Sequence, residues 1–206
     1  MFEYILIGSG FAFAAAIQPG PLQAFLLSGV AQKGWKRTLP AAFSPLISDG
    51  PIAVLALLVL NQIPEILSKV LQAVGGVFLI YLAWGSYRQW QQNAAQEPDS
   101  ETSVPQTLFK AAMVNILNPN PYLGWSLVLG PAFLVAWQES PANAAALIIA
   151  FYGTMVLALA GTILLFGTTR FLGPAGRRSL ILVSAVVLAA LGAYMLAASI
   201  IGAIAG

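Results

Sequence analysis

Six apolar runs, each close to the length of a bilayer crossing, constrain this chain more than any other feature. They fall at about 5–30, 39–60, 67–87, 108–137, 143–167 and 179–201 of the 206 residues. A helix needs about 20 apolar residues to cross the hydrocarbon core. Backbone in lipid must also satisfy its own hydrogen bonds, which leaves helices or closed barrels. Runs of this length predict an all-α, polytopic membrane protein with six transmembrane helices. Composition agrees, with 59% of residues hydrophobic and 8% charged, against roughly 25% charged in a soluble domain. Cysteine and histidine are both absent, which excludes disulfides, thiol relays and histidine-based metal sites. No cofactor and no metal site is expected. Glu3 precedes the first run with no basic residue beside it, so that run reads as a retained helix and not a cleaved signal peptide.

Orientation follows from charge. With six crossings, loops 1–2, 3–4 and 5–6 share one side. They and their flanks hold Lys33, Lys36, Arg37, Arg88, Lys110, Arg170, Arg177 and Arg178, eight of the nine basic residues. The positive-inside rule places that side in the cytoplasm and both termini outside it, with the inner (cell) membrane as the expected location. Few charges set between apolar runs are membrane-flanking residues and not a nucleic-acid face. Residues 89–107 are polar and carry Glu97, Pro98, Asp99, Glu101 and Pro105, the composition of a flexible linker. The chain reads as a single transmembrane domain, 1–206, made of two three-helix halves, 1–88 and 108–206. An odd number of crossings per half makes similar halves antiparallel, a 3+3 inverted repeat.

Gln18-Pro19-Gly20-Pro21-Leu22-Gln23 breaks the first segment of one half, and Asn118-Pro119-Asn120-Pro121 breaks the first segment of the other. Proline removes a backbone donor and displaces the carbonyl four residues back, here those of Ala15 and Ile17. In lipid those groups need protein, water or a ligand. Paired Pro/Gly-broken helices in two inverted halves point to the midplane binding site of a secondary transporter; ordinary proline kinks are the plainer alternative. Half-helices beginning at Pro21 and Pro121 would aim free N–H groups at an anion.

Asp49 is the carboxylate that lies well inside a predicted segment. An acid at that depth costs roughly 2.5–3.5 kcal/mol and such groups usually face the bundle interior. The alternative makes Asp49 the N-cap of a short helix starting at Gly50-Pro51. Around the breaks stand the amides Gln18, Gln23, Asn115, Asn118 and Asn120, suited either to hydrogen-bonding a substrate or to satisfying freed carbonyls. One carboxylate and two helix ends suit a zwitterion. Ser44 and Ser48 lack an activating base, so no enzyme site is expected. Ala185, Ala189, Ala193 and Ala197 in the sixth run, and Gly75, Gly76, Gly153 and Gly161, read as helix-packing positions. Trp125 and Tyr122 lie deep enough for a cavity wall or for core or lipid contact.

Pro19-Gly20-Pro21, Lys33-Gly34-Trp35-Lys36-Arg37, Asp49, Gly75-Gly76 followed by Tyr81-Leu82, and Asn118-Pro119 together resemble the LysE/RhtB family of amino-acid exporters over nearly the whole chain. The resemblance implies secondary export of amino acids or related small solutes, as an exporter or antiporter driven by a proton or ion gradient. The family pattern usually has lysine after Asn-Pro, where this chain has Asn120. The alternatives are a divalent cation (cadmium-type) exporter, for which a single carboxylate makes a poor site, and a structural membrane subunit whose Asp49 pairs with a partner's cation. A thiol carrier is excluded by the lack of cysteine. The expected partners are a small-molecule substrate and the lipid bilayer, and a homo-oligomer is compatible with this reading.

Overall fold

The computed structural model describes residues 1–58, 65–91, 103–168 and 173–205, all helix and short turns with no strand among them. The first segment is two helices, α1 (Phe2–Ile17) and α2 (Pro21–Lys33), bent by 60° at the break between them. Pro21 is the first residue of α2, where its missing N–H would have had no partner in any case. Gly34, with φ +80°, ends α2 in the left-handed region that favours glycine. The chain then runs through α3 (Trp35–Thr38), a 3-10 turn (Leu39–Phe43) and α4 (Ser44–Leu58).

Helix α5 (Glu65–Gln91) covers the third expected segment, and α6 (Val104–Ile116) opens the fourth. These helices take residues 89–91 and 104–107 from the expected linker; residues 92–102 lie outside the described residues. The fourth segment breaks after Ile116 and resumes as α7 (Pro119–Gly124), a π turn (Trp125–Leu129) and α8 (Gly130–Glu139). The π turn precedes Pro131, which has no N–H for the Leu127 carbonyl, and the helix widens where that bond is missing. The bundle closes with α9 (Pro141–Gly167) and α10 (Gly173–Ala205).

The second half-helix begins at Pro119, not at Pro121. The Asn118 side chain accepts the Asn120 N–H at 3.1 Å, an N-cap that starts the helix two residues earlier than proline spacing suggested. The alternative role for Asp49 also falls. Helix α4 runs unbroken from Ser44 through Asp49 and Pro51 to Leu58, so Asp49 caps nothing.

Three described helices are long and apolar enough to cross a membrane, Trp35–Ala56, Pro141–Gly167 and Ile181–Ile201, with a fourth if α1 and α2 count as one bent crossing. Their outward faces are apolar. Phe2, Phe13, Val54, Ile149, Leu157, Leu165, Val186 and Ile201 are all exposed, as side chains bathed in lipid are. Inside, Leu26, Ile52, Leu79, Leu147, Leu159, Ile163 and Leu188 are buried.

With apolar residues on both sides, burial between helices depends on close backbone approach. A Cβ on Gly76 would fall 2.8 Å from the Gly192 carbonyl, and one on Gly192 would fall 2.8 Å from the Gly76 carbonyl. Gly75 approaches the Leu117 carbonyl as closely. Gly153 and Gly161 do not pack: added Cβ atoms there meet nothing within 4 Å. The alanine stripe of α10 also faces outward after Ala185, for Ala189, Ala193 and Ala197 are exposed. The packed face of α10 carries Ile181, Ser184, Leu188, Gly192 and Met195 instead.

Candidate functional site

The two broken segments meet. Gly124 of α7 lies against Phe11 of α1, so close that a Cβ there would fall 2.8 Å from the ring. Beside this contact is a cavity of about 110 Å³. Gln18, Pro19, Gly20, Gln23, Asp49, Asn115, Asn118, Asn120 and Pro121 line it, nine of the eleven residues singled out from the sequence. Pro21 and Pro119 do not; each starts the half-helix behind the wall. Gln18, Pro19 and Asn120 are exposed at its mouth, whereas Asp49 and Asn115 are buried at 3% and 6%.

Asp49 is held by a side chain from the other half. Asn115 Nδ2 donates to Asp49 Oδ1 at 2.8 Å and to Ser48 Oγ at 2.7 Å. Both amide protons of Asn115 are thereby used, which fixes the orientation of its amide. Ser48 Oγ lies 2.9 Å from the Ser44 carbonyl and 3.4 Å from Asp49 Oδ1, so its single proton goes to the carbonyl. Asn115 is therefore the close donor to the acid, and it ties α6 to α4 at the cavity floor. The indole of Trp125 is turned toward the same carboxyl. It stays outside hydrogen-bond geometry, however, and its Nε1 is buried with no hydrogen-bond partner among the described residues.

Gln23 has a structural job. Its Nε2 donates to the Ala16 carbonyl at 2.7 Å, across the break, and so satisfies a carbonyl adjacent to those the prolines release. Gln23→Leu should cost about 1–3 kcal/mol by leaving that acceptor unmet in a dry setting, read as a lower thermal midpoint in detergent. At the start of α2, the N–H groups of Leu22 and Gln23 have no intrahelical acceptor, as in the first turn of any helix. Both residues line the cavity.

The remaining wall was not singled out from the sequence. It includes Phe11, Leu22, Leu129 and, from α9, Phe151, Met155 and Leu159. Helix α9 is apolar all round, and the spacing of its buried residues, Leu147, Phe151, Met155, Leu159 and Ile163, emerges only once the helix is packed. Trp125 does line the cavity, while Tyr122 is buried in the core beside it. No group of three or more acidic, histidine or cysteine side chains suited to a metal ion occurs among the described residues.

The chain is 30% identical over 135 residues to a Bacillus subtilis (strain 168) protein named "Putative amino-acid transporter YisU"; the match covers 63% of this chain and 60% of the relative's length. No solved structure matches. Residues 13–199, from the middle of α1 to near the end of α10, match the LysE type translocator family. The chain belongs to that family, as a multi-pass membrane protein.

Proposed function

We propose that the protein is a secondary exporter of amino acids, and that the cavity between the two broken segments is where the substrate sits. The observation that carries this is the cavity itself. Two Pro-broken segments, a hundred residues apart in sequence, converge on one concavity whose floor holds a buried carboxylate. In this reading the substrate ammonium binds Asp49, and its carboxylate meets the Leu22 and Gln23 N–H groups at the start of α2. The indole N–H of Trp125 adds a further donor. The aromatic and aliphatic wall takes the side chain. Between substrates Asp49 exchanges its partner for a proton, which couples export to the gradient.

The helix partners support a six-crossing 3+3 inverted repeat, 1–88 and 108–206 joined by the linker. Helix α1 packs on α9, α4 packs on α6 and α7, and α5 packs on α10. Inversion would relate these contacts in pairs, since the first segment of each half lies against the second segment of the other and the third segments lie against each other. A reporter fused to the C-terminus should then appear outside the cytoplasm; a cytoplasmic signal would overturn the orientation. The LysE family match favours amino acids over a divalent cation, as does the absence of an acidic cluster among the described residues.

The test is flux from liposomes containing the purified chain and loaded with a panel of labelled amino acids. Efflux of at least one amino acid, accelerated by a pH gradient, is expected. No flux for any of them, with or without the gradient, would reject the reading. Trp125→Phe should leave stability equal or higher, because it removes an unpartnered buried donor. The same change should weaken apparent substrate affinity about tenfold, read as a raised half-saturation concentration.

A further inference from the structure

We propose that a second cavity, at the basic end of the bundle between α2, α5 and α6, binds a phosphate group carried by an acidic phospholipid. At about 230 Å³ it is larger than the cavity between the broken segments. Lys33 at the end of α2, Arg88 in the last turn of α5 and Lys110 of α6 all line it, and no aspartate or glutamate is among its described lining residues. Membrane-flanking cations ordinarily splay into water. Here three from three helices surround one concavity, and an anionic oxygen placed between them interacts favourably with all three.

The floor is polar and buried. Ser28 and Ser86 are 4% and 2% exposed, their hydroxyls are 2.9 Å apart, and Gln32 Nε2 lies 2.6 Å from each. Gln32 donates to both hydroxyls, and Ser86 hands its own proton to the Leu82 carbonyl at 3.1 Å. The Ser28 proton is therefore the one in this net without a carbonyl acceptor, and it can turn from Ser86 to a guest oxygen. A floor donor under a ring of cations is the chemistry of a tetrahedral oxyanion.

The outer wall indicates how the phosphate arrives. Tyr81 and Trp84 line the cavity and are 63% and 59% exposed. Trp84, Tyr87 and Trp90 follow one another along α5 with ring centroids 6.1 and 5.6 Å apart. Arg178 sits over Trp90 at 5.1 Å. Tyrosine and tryptophan with one face outward sit at headgroup level, and basic pockets between membrane helices hold anionic headgroups. A lipid can place its phosphate among Lys33, Arg88 and Lys110 while its chains lie along Tyr81 and Trp84.

The full chain, purified in detergent, would be titrated with phosphatidylglycerol, phosphatidylcholine or glycerol 3-phosphate and followed by native mass spectrometry and thermal unfolding. Phosphatidylglycerol should give a discrete one-lipid adduct and raise the midpoint; phosphatidylcholine and glycerol 3-phosphate should not. The double variant Arg88→Gln/Lys110→Gln should weaken that adduct about 30-fold, at roughly fivefold per cation. Arg88→Lys/Lys110→Arg should retain it, and Ser28→Ala reports separately on the floor should the double variant misfold. Equal adducts with both lipids, an adduct undiminished in the charge-removing variant, or a soluble phosphate that matches the lipid would each overturn the proposal. None of these readouts depends on whether amino acids are transported.

Discussion

Asp49→Asn is expected to reduce amino-acid flux 10- to 100-fold while the protein becomes no less stable. A charge-assisted hydrogen bond between ammonium and carboxylate contributes about 1.5–3 kcal/mol, and each 1.4 kcal/mol is tenfold. Asparagine keeps the oxygen that accepts from Asn115 Nδ2 at 2.8 Å, so α4 and α6 stay joined. It also removes an acid whose insertion costs roughly 2.5–3.5 kcal/mol. The two readings of Asp49 therefore separate cleanly. If the acid served only the fold, Asp49→Asn would lower the thermal midpoint and the flux of surviving protein would be normal. Flux lost with the midpoint held or raised is the signature of a binding or coupling group. Asp49→Glu is the companion variant: it keeps the charge but crowds Asn115, and should retain part of the flux.

The second large effect concerns the crossing of α5 and α10. Gly76→Leu should lower the thermal midpoint by about 2–12 °C, or prevent recovery of folded protein altogether. The Gly192 carbonyl and the Leu196 side chain both stand 2.8 Å from where the first added carbon would lie. Overpacking of this kind costs about 1–3 kcal/mol or more, and each kcal/mol moves the midpoint about 2–4 °C in a chain of this size. Backbone atoms on the opposing helix cannot turn aside, so the helices must separate. Gly153→Leu is the control, since an added carbon there meets nothing within 4 Å. It should keep the midpoint or raise it, because leucine favours helix over glycine by nearly 1 kcal/mol. Equal losses at both positions would contradict the packing described for Gly76.

What the sequence disclosed tracks where chemistry is scarce. In a chain this apolar, two Pro-x-Pro breaks and one acid at the same depth are conspicuous, and each has a cost that must be met by a neighbour. Lining of a common cavity by Asp49, Asn115, Gln18 and Asn120 follows from those costs. Proline spacing points to Pro121 as the start of α7, but the Asn118 side chain caps the helix so that it begins at Pro119. Helix faces were the least legible part. Periodicity reports burial only when solvent is water; against lipid, both faces of α9 are apolar, and Phe151, Met155 and Leu159 carry no mark that they face a cavity. The alanine stripe of α10 misled for the same reason, since small residues can face lipid as readily as a helix. Pairing of Asn115 with Asp49 across the halves required knowing that α6 lies on α4.

The central claim is that substrate occupies the cavity over Asp49. The chain has no cysteine, so Asn120→Cys supplies a single thiol at the cavity mouth. In liposomes, a transported amino acid at saturating concentration should slow maleimide labelling of that thiol severalfold, and the protection should vanish when Asp49→Asn is added. Labelling at the same rate with and without substrate, in protein that still transports it, would place the substrate elsewhere.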